Sequence, residues 1–106
     1  MARILFAETA ESDLDEIFAW IADRAGEKVA SAYVARISRF CREFIPFPRR
    51  GTMREDLRAG LRTVGFERRA TIAFRVLKTR VEIVTIAYGG RDFEAKLRKG
   101  SKRSPD

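Results

Sequence analysis

Arg69, Arg75, Arg80 and Arg91 stand near Tyr88, Glu67 and Glu82 in the second half of this sequence, and this mixture could act on a phosphodiester. In-line attack by a ribose 2′-OH needs a base, an acid and positive charge on the phosphate. The arginines would supply the charge, Tyr88 a proton, and Glu67 or Glu82 the base. Arginine itself is a poor base because its pKa stays above about 12. The chain has no histidine and one cysteine, Cys41. Ser-His-Asp and Cys-His nucleophiles are therefore excluded by count, as are zinc sites built from Cys and His. A histidine-assisted ribonuclease is impossible. A metal-dependent nuclease would need grouped carboxylates, and the strand-like segments carry no such group. No metal and no cofactor are expected.

The same side chains also read as a binding surface. Arg58 and Arg62 flank Gly60-Leu61. They are either contacts to a target or to a partner's carboxylate, or braces of a loop paired with Glu55 or Asp56. Arg75 alternates with Ile72, Phe74 and Val76, so it points away from them. It lies either on a basic contact face or in a cross-strand pair with Glu82. Arg91 and Asp92 follow two glycines, as a basic site at the sheet's end or as a solvated residue beside a helix cap. Trp20 falls about 120° from the centre of its helix's apolar stripe. It is either covered by the sheet's edge or kept for a partner, where Trp is enriched. Phe47 sits between Pro46 and Pro48 and is free for a partner, whereas Phe44 reads as core. Cys41 lies within an apolar stripe and reads as a buried structural thiol.

Charge is unevenly spread. Residues 1–28 hold three basic and seven acidic side chains, a net of −4, within a chain of net +7. Residues 29–106 hold nineteen basic and eight acidic, a net of +11. A basic body of this kind favours a polyanion or an acidic protein, or is simply well solvated. At 106 residues and 45% hydrophobic composition, the chain suits one domain with one core. One thiol gives no internal disulfide. No signal peptide or membrane-length apolar run is visible, so a cytoplasmic location without membrane contact is the expectation.

The elements that position these residues follow from periodicity. Arg3–Ala7 reads as a strand. Glu8–Ala25 is helical, with Ala10, Leu14, Ile17, Phe18 and Ile21 on one stripe, Thr9 as N-cap, and acidic residues including Glu8, Glu11, Asp13 and Asp15 suited to the helix dipole. Gly26 fits a left-handed helix end. A second helix runs from about Glu27 to Phe44, with Val29, Tyr33, Ile37, Phe40, Cys41 and Phe44 as its stripe, and prolines end it. Pro46–Gly60 reads as a loop with room for one helical turn. Leu61–Phe66, Ala70–Leu77 and Val81–Tyr88 then form an antiparallel meander with short links. Arg91–Lys99 is expected to form a short helix capped by Asp92, and residues 98–106 a frayed basic tail beyond a domain of residues 1–97. The order β-α-α-β-β-β implies a two-layer α+β sandwich, with an αα-hairpin on one sheet face, the first strand added at an edge of the meander, and the other face open.

Four segments, taken in order, resemble one known family. They are AESDLDEIFAWIADR (Ala10–Arg24), DLRAGLRTV (Asp56–Val64), RATIAFRV (Arg69–Val76) and VEIVTIAYGGRDFEAKL (Val81–Leu97). They are similar to the acidic opening helix, the Leu-Arg-x-Gly-Leu-Arg loop, an Arg-led apolar strand, and the Val-x-Ile-x-x-Ile strand followed by two small residues and Arg-Asp of ParE-family toxins, within the RelE/ParE superfamily. The resemblance spans Arg3 to Leu97.

The resemblance implies a toxin of a bacterial type II toxin–antitoxin module, of the kind associated with plasmid stabilisation. It implies inhibition of DNA gyrase by binding, with no catalytic residue, and neutralisation by a ParD-like antitoxin whose bound segment is acidic and apolar. Direct nucleic-acid binding is not required. On this reading Arg69, Arg75, Tyr88 and Arg91 are target-binding residues, and Trp20, Phe47, Arg58 and Arg62 are antitoxin-binding. Tyr88 stands where related toxins often have histidine. A ribosome-dependent mRNA endonuclease of the RelE type is the alternative, and a binding module that has lost toxicity is a third.

Overall fold

A computed structural model of the chain describes residues 3–89 and Leu97. The chain runs β1 (Arg3–Phe6), α1 (Glu8–Ala25), α2 (Glu27–Arg42), β2 (Thr52–Met53), β3 (Leu61–Phe66), β4 (Ala70–Val76) and β5 (Arg80–Tyr88). One five-stranded sheet has the order β1-β5-β4-β3-β2. The meander β3–β4–β5 is antiparallel as the period-two pattern predicts, and β1 joins its edge against β5. The pairing of β1 with β5 is parallel, from Arg3 opposite Arg80 to Phe6 opposite Ile83.

Several boundaries differ from the sequence reading. Helix α1 begins one residue before Thr9, with Ala7 as N-cap and no side-chain cap. Ala7 donates its amide to the Ile83 carbonyl, so the turn from β1 into α1 is fixed by the sheet and leaves Thr9 inside the helix. Strand β2 lies within the stretch expected to be loop and pairs Thr52 with Thr63 and Met53 with Arg62. Two residues are too few to show an alternating pattern. In α2 the inward position belongs to Ala30, while Val29 is half exposed. Gly26 has φ +95° and joins the helices, its amide closing α1 on Ala22 and its carbonyl opening α2 with Ala30.

The main core lies between the helical hairpin and one sheet face. Ala10, Ile17 and Ile21 of α1 and Ala30, Tyr33, Ile37 and Cys41 of α2, with Phe44 just beyond it, pack on Phe66, Ile72, Phe74, Val81, Ile83 and Ile86. Phe44 and Phe74 rings approach to 4.4 Å between centroids. The opposite face is not the open one that the order of elements predicts. Leu61, Ala73 and Val84 are buried there with Leu97, and Leu57 packs against them. A sheet face with three buried apolar positions needs cover, and the chain supplies part of it.

Strand β5 carries one residue more than β4 at this level. Ala73 faces Thr85, but Phe74 faces Ile83, which leaves Val84 as a bulge. The bulge turns Val84 into the second cluster and lets Thr85 and Ile86 meet α1. Beyond Ile83, β1 has ended, and among the described residues β5 has no strand on that side. Asp13 takes over: its Oδ2 accepts the Thr85 hydroxyl and, at 2.8 Å, the Ile86 amide.

Candidate functional site

At one end of the sandwich, the second half of α1, the first half of α2, the β3–β4 turn and the end of β5 enclose a groove of about 350 Å³. Its chemistry comes from aromatic rings and arginines. Trp20 is 38% exposed and meets Tyr88 edge-on at 5.4 Å between ring centroids. Tyr88 in turn meets Tyr33 at 5.4 Å, and Tyr33 meets Phe66 at 5.8 Å. The Arg24 guanidinium lies 3.8 Å from the Trp20 ring centroid, one helical turn away on α1. Cation–π contact of this kind holds the indole in place without removing it from solvent.

The β3–β4 turn forms the opposite wall. Glu67 and Arg68 both adopt left-handed backbone, φ +50° and +62°, without glycine. Such a turn matches the twist of the strands but costs about 1 kcal/mol or more per non-glycine residue. A bidentate pair across the groove offsets this: Arg36 Nε and Nη2 donate to Glu67 at 2.8 and 3.0 Å. Arg36 holds the Glu67 carboxyl below the usual carboxylate range through these hydrogen bonds. Arg69 follows the turn and its carbonyl accepts the Gly89 amide at 2.9 Å, joining the turn to the end of β5. The Tyr33 hydroxyl is buried with no hydrogen-bond partner among the described residues. Burial, reinforced by Tyr88 and Glu67, pushes its pKa up to about 12, so it remains a proton donor at any physiological pH.

The expected residues divide among three places. Trp20, Arg69 and Tyr88 share this groove. Arg75 lies away from the helices, as its alternation predicted, and there its Nε and Nη2 both donate to Glu82 Oε1 at 3.2 and 3.0 Å. The cross-strand pair weighed as the alternative use of Arg75 is therefore formed. Phe47 is 65% exposed and with Pro48, Arg49 and Arg50 lines a second groove. Arg50 stacks over Phe40 and Phe44, each 5.3 Å from the ring centroid, and its Nε is buried without a hydrogen-bond partner among the described residues.

Arg62 reaches this second patch as a brace, Nη1 donating to the Arg50 carbonyl at 3.3 Å. Arg58 shapes the approach to β3, its amide bonded to the Arg54 carbonyl and its carbonyl to the Leu61 amide. Asp56 is held by Arg54 in a fork at 3.0 and 2.8 Å. Arg91, and the helix expected around it with its Asp92 cap, lie outside the described residues, apart from Leu97, which is helical and buried.

Sequence reasoning missed one buried structural carboxylate and one member of the groove. Asp13 is 3% exposed, although it was assigned to the dipole of an acidic helix start. The signal was its spacing: Ala10, Asp13, Ile17 and Ile21 form the buried stripe, so Asp13 occupies an apolar slot. Tyr33 was assigned to the core, where its ring does lie, but the unpaired hydroxyl has no sequence signature. Among the described residues no group of three His, Cys, Asp or Glu side chains could hold a metal. No helix among them is long and apolar enough to cross a membrane.

Comparison with known proteins supplies the context. The family described as the ParE toxin of the type II toxin–antitoxin system, parDE, matches residues 4–93. Toxin ParE3 of Caulobacter vibrioides is 34% identical over 99 residues, covering 93% of this chain and 98% of that protein. A solved structure of a chromosomal ParDE TA system from P. aeruginosa superposes with a TM-score of 0.71 at 24% identity, covering 84% of this chain and 96% of that one. This last likeness bears on the fold.

Proposed function

Because the chain belongs to the ParE toxin family of type II toxin–antitoxin systems, we propose that it inhibits DNA gyrase by binding and is neutralised by a ParD-like antitoxin. The observation that carries the binding reading is the state of the two carboxylates that phosphodiester cleavage would need. Glu67 is gripped by Arg36 and Glu82 by Arg75. A general base must accept a proton near neutral pH, and Arg36 draws Glu67 the other way. The chain has no histidine to take their place.

Target contacts are assigned to Arg69, Arg75, Tyr88 and Arg91, and antitoxin contacts to Trp20, Phe47, Arg58 and Arg62. The basic net charge of +7 favours an antitoxin segment that is acidic as well as apolar. Exposed Trp20 and Phe47 supply anchors for its apolar residues.

The test is to add the purified chain to a gyrase supercoiling assay and, in parallel, to a translation reaction with labelled mRNA. Loss of supercoiling with intact mRNA is the expected result, and added antitoxin should restore supercoiling. Cut mRNA at the ribosome with unaffected gyrase would establish the endonuclease instead.

A further inference from the structure

The groove between the two helices and the β3–β4 turn has an unused donor at its base. Among the described residues the Tyr33 hydroxyl is buried and unpaired, although buried polar groups in folded proteins nearly always find partners. Its electrostatic neighbours are Tyr88, Glu67, Arg36 and Arg69. Tyr33 lines the groove together with Arg36 and Arg69, both of them surface side chains. Among the described residues the groove's lining contains three guanidiniums, Arg24, Arg36 and Arg69, against the one carboxylate of Glu67, a net of +2. Beside the charges lie Trp20 and Val29, 38% and 51% exposed, with Ile21 and Ala25.

We propose that this groove captures one carboxylate side chain of the antitoxin's neutralising segment, which accepts the Tyr33 hydroxyl between Arg36 and Arg69 while a neighbouring apolar side chain rests on Trp20 and Val29. The proposal rests on the toxin–antitoxin reading above. A protein carboxylate fits better than a nucleic-acid phosphate for two reasons. Arg36 is committed to Glu67, so the groove keeps the charge of Arg24 and Arg69 for one incoming carboxylate and not for a long run of anions. The aliphatic part of the lining beside the charges, Ile21, Ala25 and Val29, matches a peptide side chain. An occupant here also covers Arg69 and Tyr88, so the segment that neutralises the toxin hides two of its proposed target contacts.

The experiment is calorimetric titration of the full chain with the purified ParD-like antitoxin. It compares wild type with Tyr33→Phe and Arg69→Gln, and repeats each against antitoxin variants in which one Asp or Glu of the bound segment becomes Asn or Gln. Tyr33→Phe removes one atom that has no partner, so the melting temperature should hold or rise. Antitoxin affinity should fall about 10-fold, the scale of a hydrogen bond to a charged group. For one antitoxin carboxylate the losses on the two sides should fail to add. Arg69→Gln should weaken binding by a similar factor and flatten its salt dependence.

Unchanged affinity in Tyr33→Phe, or additive losses with every carboxylate, overturns the proposal while leaving the toxin reading intact. A labelled single-stranded RNA whose binding is lost in Tyr33→Phe overturns it in favour of nucleic acid. An antitoxin that does not bind wild type overturns both readings. Antitoxin binding of the expected pattern by a chain that leaves gyrase active supports the groove and removes only the gyrase target.

Discussion

Asp13 and Ile86 are joined by a buried hydrogen bond, carboxylate to backbone amide at 2.8 Å, across the boundary between helix and sheet. The same carboxylate oxygen accepts the Thr85 hydroxyl. Asp13→Ala would strand a buried amide and a buried hydroxyl. The expected cost is about 3 kcal/mol, a fall in melting temperature of roughly 15 °C for a domain of this size. Asp13→Asn keeps an acceptor and should lose about half as much. Urea or thermal unfolding of the two variants checks this; a loss in Asp13→Ala within error of zero would mean that water replaces the carboxylate.

Gly51 has φ +75°, and a Cβ there would overlap the carbonyl oxygen of Thr63. The short strand β2 therefore depends on this glycine. Gly51→Ala should destabilise by about 2 kcal/mol. The loss should be local: the Arg54 amide, bonded to the Leu61 carbonyl at 2.7 Å, should lose protection in hydrogen exchange before the amides of β4 do.

Cys41 is buried, and that burial pushes its thiol up to about 12. Only thiolate reacts readily, so the folded chain at pH 8 should ignore a disulfide reagent that labels the unfolded chain within minutes. The linkage has a definite sign. A raised folded-state pKa makes the thiol's contribution complete below the ordinary value of 9.0 and progressively lost as pH rises toward 12. Rapid native labelling at pH 8 would contradict the burial.

Phe47 is exposed between two prolines beside Arg49 and Arg50. Phe47→Ala should change folding stability by less than about 0.5 kcal/mol, as surface changes do. If Phe47 anchors the antitoxin as proposed, affinity should fall about 10-fold. An equilibrium titration beside a melting curve separates the two, and unaltered affinity would remove Phe47 from the interface.

Much of the architecture was legible because it depends on local periodicity. The stripe through Ala10, Ile17 and Ile21 set α1, and Gly26 marked the helix joint. Alternation in β3, β4 and β5 gave the meander and the direction of Arg75. What was illegible depends on partners distant in sequence. Thr9 looked like a cap because the sequence does not reveal that Ile83 fixes Ala7. Asp13 looked like a surface acid because its partners lie 72 and 73 residues on. Leu57 and Leu97 read as residues of a loop and of a terminal helix, and only the fold brings them over Leu61 and Ala73. For the site, the residue types were visible, but the meeting of Trp20, Tyr33, Arg69 and Tyr88 arises only when four separate elements converge.

The parallel seating of β1 against β5 also has a temporal meaning. A ribosome makes β1 first, yet its lattice of partners, from Arg80 to Ile83, emerges only after two helices and three other strands. The helical hairpin can close early on short-range contacts, whereas the N-terminal arm must wait for a long loop to close. A growing chain thus passes most of its synthesis unfinished at one edge, and that edge closes only once β5 has been released.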